Sequence, residues 1–324
     1  MKPLSPEEIA AARAIVADVQ PPTPTLRWPL LDARLGARAW VKHENHGRVG
    51  AFKLRGGVVY LHGLVAREPR LAGVISATRG NHGQSIALAA SRHGLAATIV
   101  VPHGNSVEKN AAMRALGASL VEHGEDFQQA REHAARLAAD RGLHFVPSFD
   151  RDLVRGVASY WMEFFEASAE DPPEVVYVPI GQGSGIAACA SARAVHGARS
   201  RIVGVVSAHA TAYLDSVRAG RVVSAPVTTR LADGMACRLP DEDALALILR
   251  EVDEVIAVTD DEVAGAMRAL FADTHNVAEG AGAASLAAAL QQRGRLAGRS
   301  VGLTLCGANV DSDVFARVLA GGSA

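Results

Sequence analysis

Short apolar runs rich in β-branched residues alternate with longer stretches of helical period along most of this chain. The runs fall at 73–76, 98–101, 119–121, 175–180, 202–206, 255–258 and 301–305. Helical periodicity fills 82–92, 107–116, 127–140, 153–167, 185–195, 260–273 and 283–292. Strands this short and apolar, separated by helices, predict α/β layers with largely parallel sheets. The stretch 54–148 holds its own series of such units and reads as a separate lobe. Two helix starts are marked by capping boxes, Ser5 with Glu8 and Thr259 with Glu262. The first of these helices runs to about Asp18. The connector 20–25 is too rich in proline to be helical.

Composition limits what such a fold can do. The 324 residues leave room for two domains, and 49% apolar against 21% charged residues supports a sizeable core. A net charge of -1 and 5% aromatic residues argue against a nucleic-acid partner. Cys189, Cys237 and Cys306 are too scattered for a disulfide framework or a zinc cluster. The first residues lack the apolar core of a signal peptide. No apolar run is long enough to span a bilayer. A cytoplasmic protein without membrane contact is expected.

Chemistry concentrates at a lysine and two glycine loops. Lys53 follows a strand-like run ending near Glu44 and a glycine-bearing turn, and it opens a helix. Helix-start placement and partial burial both disfavour the ammonium form, and an amine so lowered attacks carbonyls. The alternative is an ordinary surface lysine. The loop Gly181-Gln182-Gly183-Ser184-Gly185 ends a strand and runs into an alanine-rich helix, the context that turns backbone N–H groups toward an anion. Its glycine spacing fits neither a dinucleotide fingerprint nor a P-loop; the alternative is a tight turn with no ligand. The loop Ser76-Ala77-Thr78-Arg79-Gly80-Asn81-His82-Gly83 also joins strand to helix and suits a carboxylate or a ring oxygen. Asn81 acting as a plain N-cap is its alternative. Cys306 ends the run 301–305, where a cysteine is most often a small core residue.

These motifs occur together and in an order that resembles the serine/threonine dehydratase branch of the fold type II pyridoxal-phosphate enzymes. Gly-Ala-Phe-Lys-Leu-Arg-Gly, Gly-Asn-His-Gly, the 181–185 loop and Cys-Gly-Ala-Asn carry the resemblance over nearly the whole chain. The stretches 232–236 and 279–283 also look like family segments. The resemblance implies two doubly wound three-layer α/β domains, with largely parallel sheets and a cofactor cleft between them. Residues 1–53 and 149–324 would form the large cofactor-binding domain, and 54–148 the small substrate-binding domain. It implies pyridoxal 5'-phosphate as cofactor, held by Lys53 as a Schiff base. Lys53 would then serve as base at the substrate Cα. Phe52 and Asn81 would flank the ring, with Asn81 bonding the ring hydroxyl. Gly181, Gln182, Gly183, Ser184 and Gly185 would hold the phosphate. Cys306 would face the ring nitrogen. Thr78, Arg79, Gly80, Asn81 and His82 would bind the amino-acid substrate. A homodimer is also implied.

The implied activity is an ammonia-lyase that converts a β-hydroxy amino acid, L-threonine or L-serine, to a 2-oxo acid and ammonia. Phenylserine or 3-hydroxyaspartate are alternative substrates. Serine racemase activity, or cofactor binding without turnover, ranks lower. Arg79 departs from the family pattern, which has a small residue there, and an arginine is a poor acid/base at neutral pH. It can either meet a second acidic group on the substrate or point away into a structural or interface ion pair. The stretch 205–209 lacks the glutamate expected of relatives with a divalent-ion site, and no metal-ligand spacing occurs. A monovalent ion stays open. Little chain follows the catalytic part, so an appended amino-acid-sensing domain is not expected.

Overall fold

The computed structural model describes residues 1–322. Helix α1 (Pro6–Ala17) is followed by β1 (Thr25–Arg27), α2 (Pro29–Leu35), β2 (Arg38–His43) and α3 (Lys53–Arg67). An alternating run comes next: β3 (Val74–Ala77), α4 (Asn81–Arg92), β4 (Ala97–Val101), α5 (Val107–Ala115), β5 (Ser119–Glu122), α6 (Phe127–Arg141) and β6 (His144–Phe145). Helix α7 (Arg151–Ala167) leads into β7 (Val175–Pro179), α8 (Ser184–His196), β8 (Arg201–Ser207), α9 (Ala212–Ala219), α10 (Glu242–Glu251) and β9 (Glu254–Val258). Then come α11 (Asp260–Thr274), α12 (Gly280–Gln291), β10 (Ser300–Leu305) and α13 (Ser312–Leu319).

The strands form two sheets. The six-stranded sheet has the order β1-β2-β10-β7-β8-β9, and the four-stranded sheet has the order β5-β4-β3-β6. Every pairing is parallel except β1 with β2. Side chains that alternate along a strand belong to opposite faces. In the larger sheet Val175, Tyr177, Val203 and Val205 enter one core, with α11 and α12. Val176, Val178, Ile202 and Val206 enter the other, with α7 and α8. In the smaller sheet Val74 and Ile99 face one core, and Ile75 and Val100 the other. Each sheet is therefore covered on both faces, the doubly wound α/β arrangement that the alternation predicts.

Both capping boxes form as expected. Periodicity did not single out β1, β6, α2, α9, α10 or α13. The first two are too short to show a period. Helices α2, α9 and α13 run only seven or eight residues. Helix α10 has a local marker, Asp241, whose side chain accepts from the Ala244 N–H.

A largely buried charge network sits behind α3. Arg55 bonds Glu44 through Nε at 2.8 Å and Glu163 through Nη1 at 2.6 Å, and Lys42 bonds Glu163 at 2.6 Å. Thr23 and Ser159 supply further hydroxyl contacts to Arg55. Two cations facing two carboxylates leave no uncompensated charge in the interior. The network anchors the first turn of α3, two residues from Lys53.

Candidate active site

A cleft of about 850 Å³, counting the part that opens to solvent, runs between the two sheets. Every site residue expected from the sequence lines it: Phe52 and Lys53; Thr78 through His82; Gly181 through Gly185; and Cys306.

Lys53 is the first residue of α3. Its backbone is fixed by the far end of the chain, because Phe52 N–H donates to Cys306 O at 3.1 Å and Ala308 N–H to Gly50 O at 2.9 Å. The amine donates to Ser184 Oγ at 3.0 Å and lies 4.8 Å from the centre of the Phe52 ring. Burial pushes it down from the ordinary lysine value to about 8; the more distant Cys306 and Glu279 offset only part of this. Burial, rather than the helix start, is thus the main cause.

The 181–185 loop ends at the first turn of α8. Gly183 takes φ +99, a backbone conformation open to glycine at little cost. The Gln182 carbonyl turns away from the cleft, where it accepts from Tyr213 OH at 3.0 Å. Among the described residues the N–H groups of Gly181 through Ile186 have no acceptor. A row of free donors at a helix N-terminus is an anion site.

The 78–82 loop opens α4, with Gly80 rather than Asn81 as the capping residue. Thr78 Oγ1 accepts from Gly80 N–H at 2.9 Å, so its hydroxyl shapes the loop. Asn81 Nδ2 donates to Glu279 Oε1 at 2.5 Å, and Asn81 Oδ1 accepts from Asn309 at 2.8 Å. One amide hydrogen of Asn81 remains for a ligand. Burial pushes the His82 imidazole down to about 3, so it is neutral, and its Nε2 has no partner. Arg79 lines both the cleft and a smaller recess beside it, which Gln128, Gln182 and Arg238 also border. Its Nε is buried without a partner, and it joins no ion pair among the described residues. The structural salt bridge considered for it does not form among the described residues. Cys306 ends β10, where its thiol donates to Ala281 O at 3.4 Å and burial pushes its pKa up.

Sequence reasoning missed Lys109, Asn309 and the part played by Glu279. Glu279 and Asp233 fall in segments flagged only as family-like; Lys109 carries no local signal. Lys109 Nζ lies 2.8 Å from Asp233 Oδ2 and 3.0 Å from Glu279 Oε2, the latter a charge contact without hydrogen-bond alignment.

An amine ready for a carbonyl, a row of free N–H donors beside it, and a slot bounded by Phe52 and Asn81 fit a phosphorylated aromatic aldehyde. An α/β protein with such a cleft between two sheets is in the class of carbonyl-cofactor enzymes. The chain belongs to the pyridoxal-phosphate dependent enzyme family, which matches residues 16–307. It is similar to an L-threonine ammonia-lyase of Thermotoga maritima, 33% identical over 97% of this chain and 77% of the relative. An L-threo-3-hydroxyaspartate ammonia-lyase of Saccharomyces cerevisiae is 32% identical over 92% of this chain and 91% of its own length. Among solved structures, the processed form of threonine deaminase isoform 2 from Solanum lycopersicum superposes with a TM-score of 0.87. It is 30% identical and covers 99% of this chain and 96% of that one. The fold and the order of motifs are those of the serine/threonine dehydratase branch of fold type II.

Proposed function

We propose that this chain is a pyridoxal-phosphate-dependent ammonia-lyase. It removes water across Cα–Cβ of a β-hydroxy amino acid, L-threonine or L-serine, and the enamine released hydrolyses to a 2-oxo acid and ammonia. The observation that carries the reading is the Lys53 amine, lowered to about 8 and bonded to Ser184 at the edge of the free N–H row. When bound, pyridoxal phosphate supplies an electron sink for the pair left at Cα. The N–H groups of Gly181 through Gly185 hold its phosphate. The remaining Asn81 hydrogen meets the ring oxygen. The Cys306 thiol stays protonated and offers the ring nitrogen a neutral neighbour. Lys53 takes the Cα proton, a role that suits an amine with a pKa near neutrality. The N–H groups of Arg79, Asn81 and His82, which take no acceptor among the described residues, bind the substrate carboxylate, with the neutral His82 ring beside them. We assign residues 1–53 and 149–324 to a cofactor-binding domain and 54–148 to a substrate-binding domain, in line with the two sheets. A cytoplasmic homodimer is the assembly proposed; the exposed Leu30 of α2 and Phe271 of α11, on helices that pack together, support a contact between copies.

A panel of β-hydroxy amino acids, both enantiomers, scored for 2-oxo acid and ammonia, tests the reading. Turnover of L-threonine or L-serine is expected. Release of neither product from any member would overturn it.

Arg79 favours a second reading, in which the substrate carries an acidic group beyond Cβ. Its unpaired guanidinium between the cleft and the recess would pair with the side-chain carboxylate of 3-hydroxyaspartate. Arg79→Ala would then lower kcat/KM for 3-hydroxyaspartate by about 10²-fold, more than for threonine. Equal losses on the two substrates would remove this reading.

A further inference from the structure

Helix α5 follows β4 of the smaller sheet, yet its first turn makes its polar contacts on the other side of the cleft. Ser106 Oγ donates to Asp311 Oδ1. The Val107 and Glu108 N–H groups donate to the same carboxylate at 3.2 and 3.3 Å. Glu108 Oε1 accepts from Ser312 N–H at 2.8 Å and from its hydroxyl at 2.6 Å. One residue further, Lys109 turns inward between Asp233 and Glu279 and is only 5% exposed. To get there its stem passes directly over Gly80, where a Cβ would overlap Lys109 Cδ. The loop that carries Asn81 is thus pressed from behind by the lysine.

Neither carboxylate partner of Lys109 comes from the smaller sheet. Glu279 divides its two oxygens between Lys109 and Asn81, so the lysine and the asparagine share one anion. Asn309 closes the set from the other side of Asn81. The charge of the Lys109 ammonium is matched by these two carboxylates, although only Asp233 takes one of its three hydrogens. Its work in the cleft is to hold other groups in place.

We propose that Lys109 is the positioning residue that pins the smaller sheet across the cleft and keeps Glu279 and Asn81 aimed at the site. Removing the ammonium leaves Glu279 and Asp233 facing each other without a cation. Glu279 then takes a proton or turns away, and in either case Asn81 loses the carboxylate acceptor that orients its amide. The first turn of α5 keeps only its contacts to Asp311 and Ser312. The kinetic consequence rests on the reaction proposed above; the structural one does not.

The test compares the wild-type holoenzyme with Lys109→Met and Asp233→Asn by hydrogen exchange and by steady-state kinetics on L-threonine. In Lys109→Met, amide exchange in segments 78–84 and 105–110 is expected to accelerate about tenfold or more, while β7 and β8 keep their protection. The same variant is expected to lose about 10²-fold in kcat/KM, because a misplaced Asn81 displaces the reacting atoms. Asp233→Asn keeps the Lys109–Glu279 contact and is expected to show the same local pattern at about threefold. Exchange within twofold of wild type in both segments of Lys109→Met would overturn the proposal. Should Lys109→Met not fold, Asp233→Asn decides: unchanged exchange in these segments overturns it. If the wild type makes no 2-oxo acid, the reaction is wrong, and the exchange data still decide the role of Lys109.

Discussion

The first turns of α3 and α5 each deliver a lysine into one cleft, and the two amines end in opposite states. Lys53 has a hydroxyl and an aromatic face for company, and burial lowers it to about 8. Burial would lower Lys109 as well, but the carboxylates of Asp233 and Glu279 more than offset it and hold the amine above the ordinary lysine value. Lys42 is the intermediate case: burial outweighs the attraction of Glu163 and Glu44, with Arg55 opposing them, and its pKa falls. Depth in the protein therefore does not decide whether a lysine is a nucleophile or a structural cation. The balance between the burial cost and the charges around the amine does, since Lys42 and Lys109 each meet two carboxylates and shift in opposite directions.

The most drastic way to probe this contrast is to remove the nucleophile. Lys53→Ala is expected to lose about 10³- to 10⁴-fold in 2-oxo acid formation. Borohydride treatment of the wild-type holoenzyme should fix cofactor to the peptide bearing Lys53, seen by mass spectrometry. Substantial residual turnover in the variant would mean another group takes the Cα proton. Next comes the buried cation in the fullest anionic company. Arg55→Met leaves Glu44 and Glu163 with only Lys42 and should cost about 3–5 kcal/mol in urea denaturation. A loss under about 1 kcal/mol would show that the network is not charge-critical.

Labelling separates the two lysines without disturbing either. In the cofactor-free protein, reductive methylation at Lys53 should rise with pH through a midpoint near 8, as the unprotonated fraction grows. Lys109 should stay unlabelled across the same range, because its amine remains protonated and covered. Equal labelling of both would undo the contrast. The smallest effect belongs to an exposed pair. Arg13 and Glu166 meet at 2.6 Å with side chains 39% and 45% exposed. Arg13→Ala should change stability by less than about 1 kcal/mol.

What could be read in the sequence follows the same division. Lys53, the 181–185 loop, the 78–82 loop and Cys306 each sit at a strand end or helix start, with glycines or a capping pattern next to them. Such placement is local, so it shows in a window of a few residues. The parallel sheets were legible for a similar reason, because apolar runs alternate with helical period. Lys109 gives no such sign. Its partner Asp233 is 124 residues away, and the Asn81–Glu279 bond spans 198. Nothing near position 109 says that two carboxylates converge on it. Arg55 is similar: the motif around Lys53 includes it, but its burial among Glu44 and Glu163 depends on α7 folding over α3. The sequence suggests both the helix start and burial as causes of the lowered Lys53 amine, and of the two it is burial by distant segments that contributes most.

The order of strands has a consequence for how the protein is made. Among the described residues, strand β2, which leads toward Lys53, pairs with β1 and β10 alone, and β10 is the last strand in sequence. The peptide bearing the lysine is pinned by bonds to residues 306–308. On a ribosome, β3 through β6 emerge together and can pair early, whereas the lysine waits for β10. Contacts of such long sequence separation form late. The nascent protein therefore cannot seat its lysine until β10 and residues 306–308 have been made. An unfinished chain released before residue 300 would carry the nucleophile with no cleft to lower its pKa.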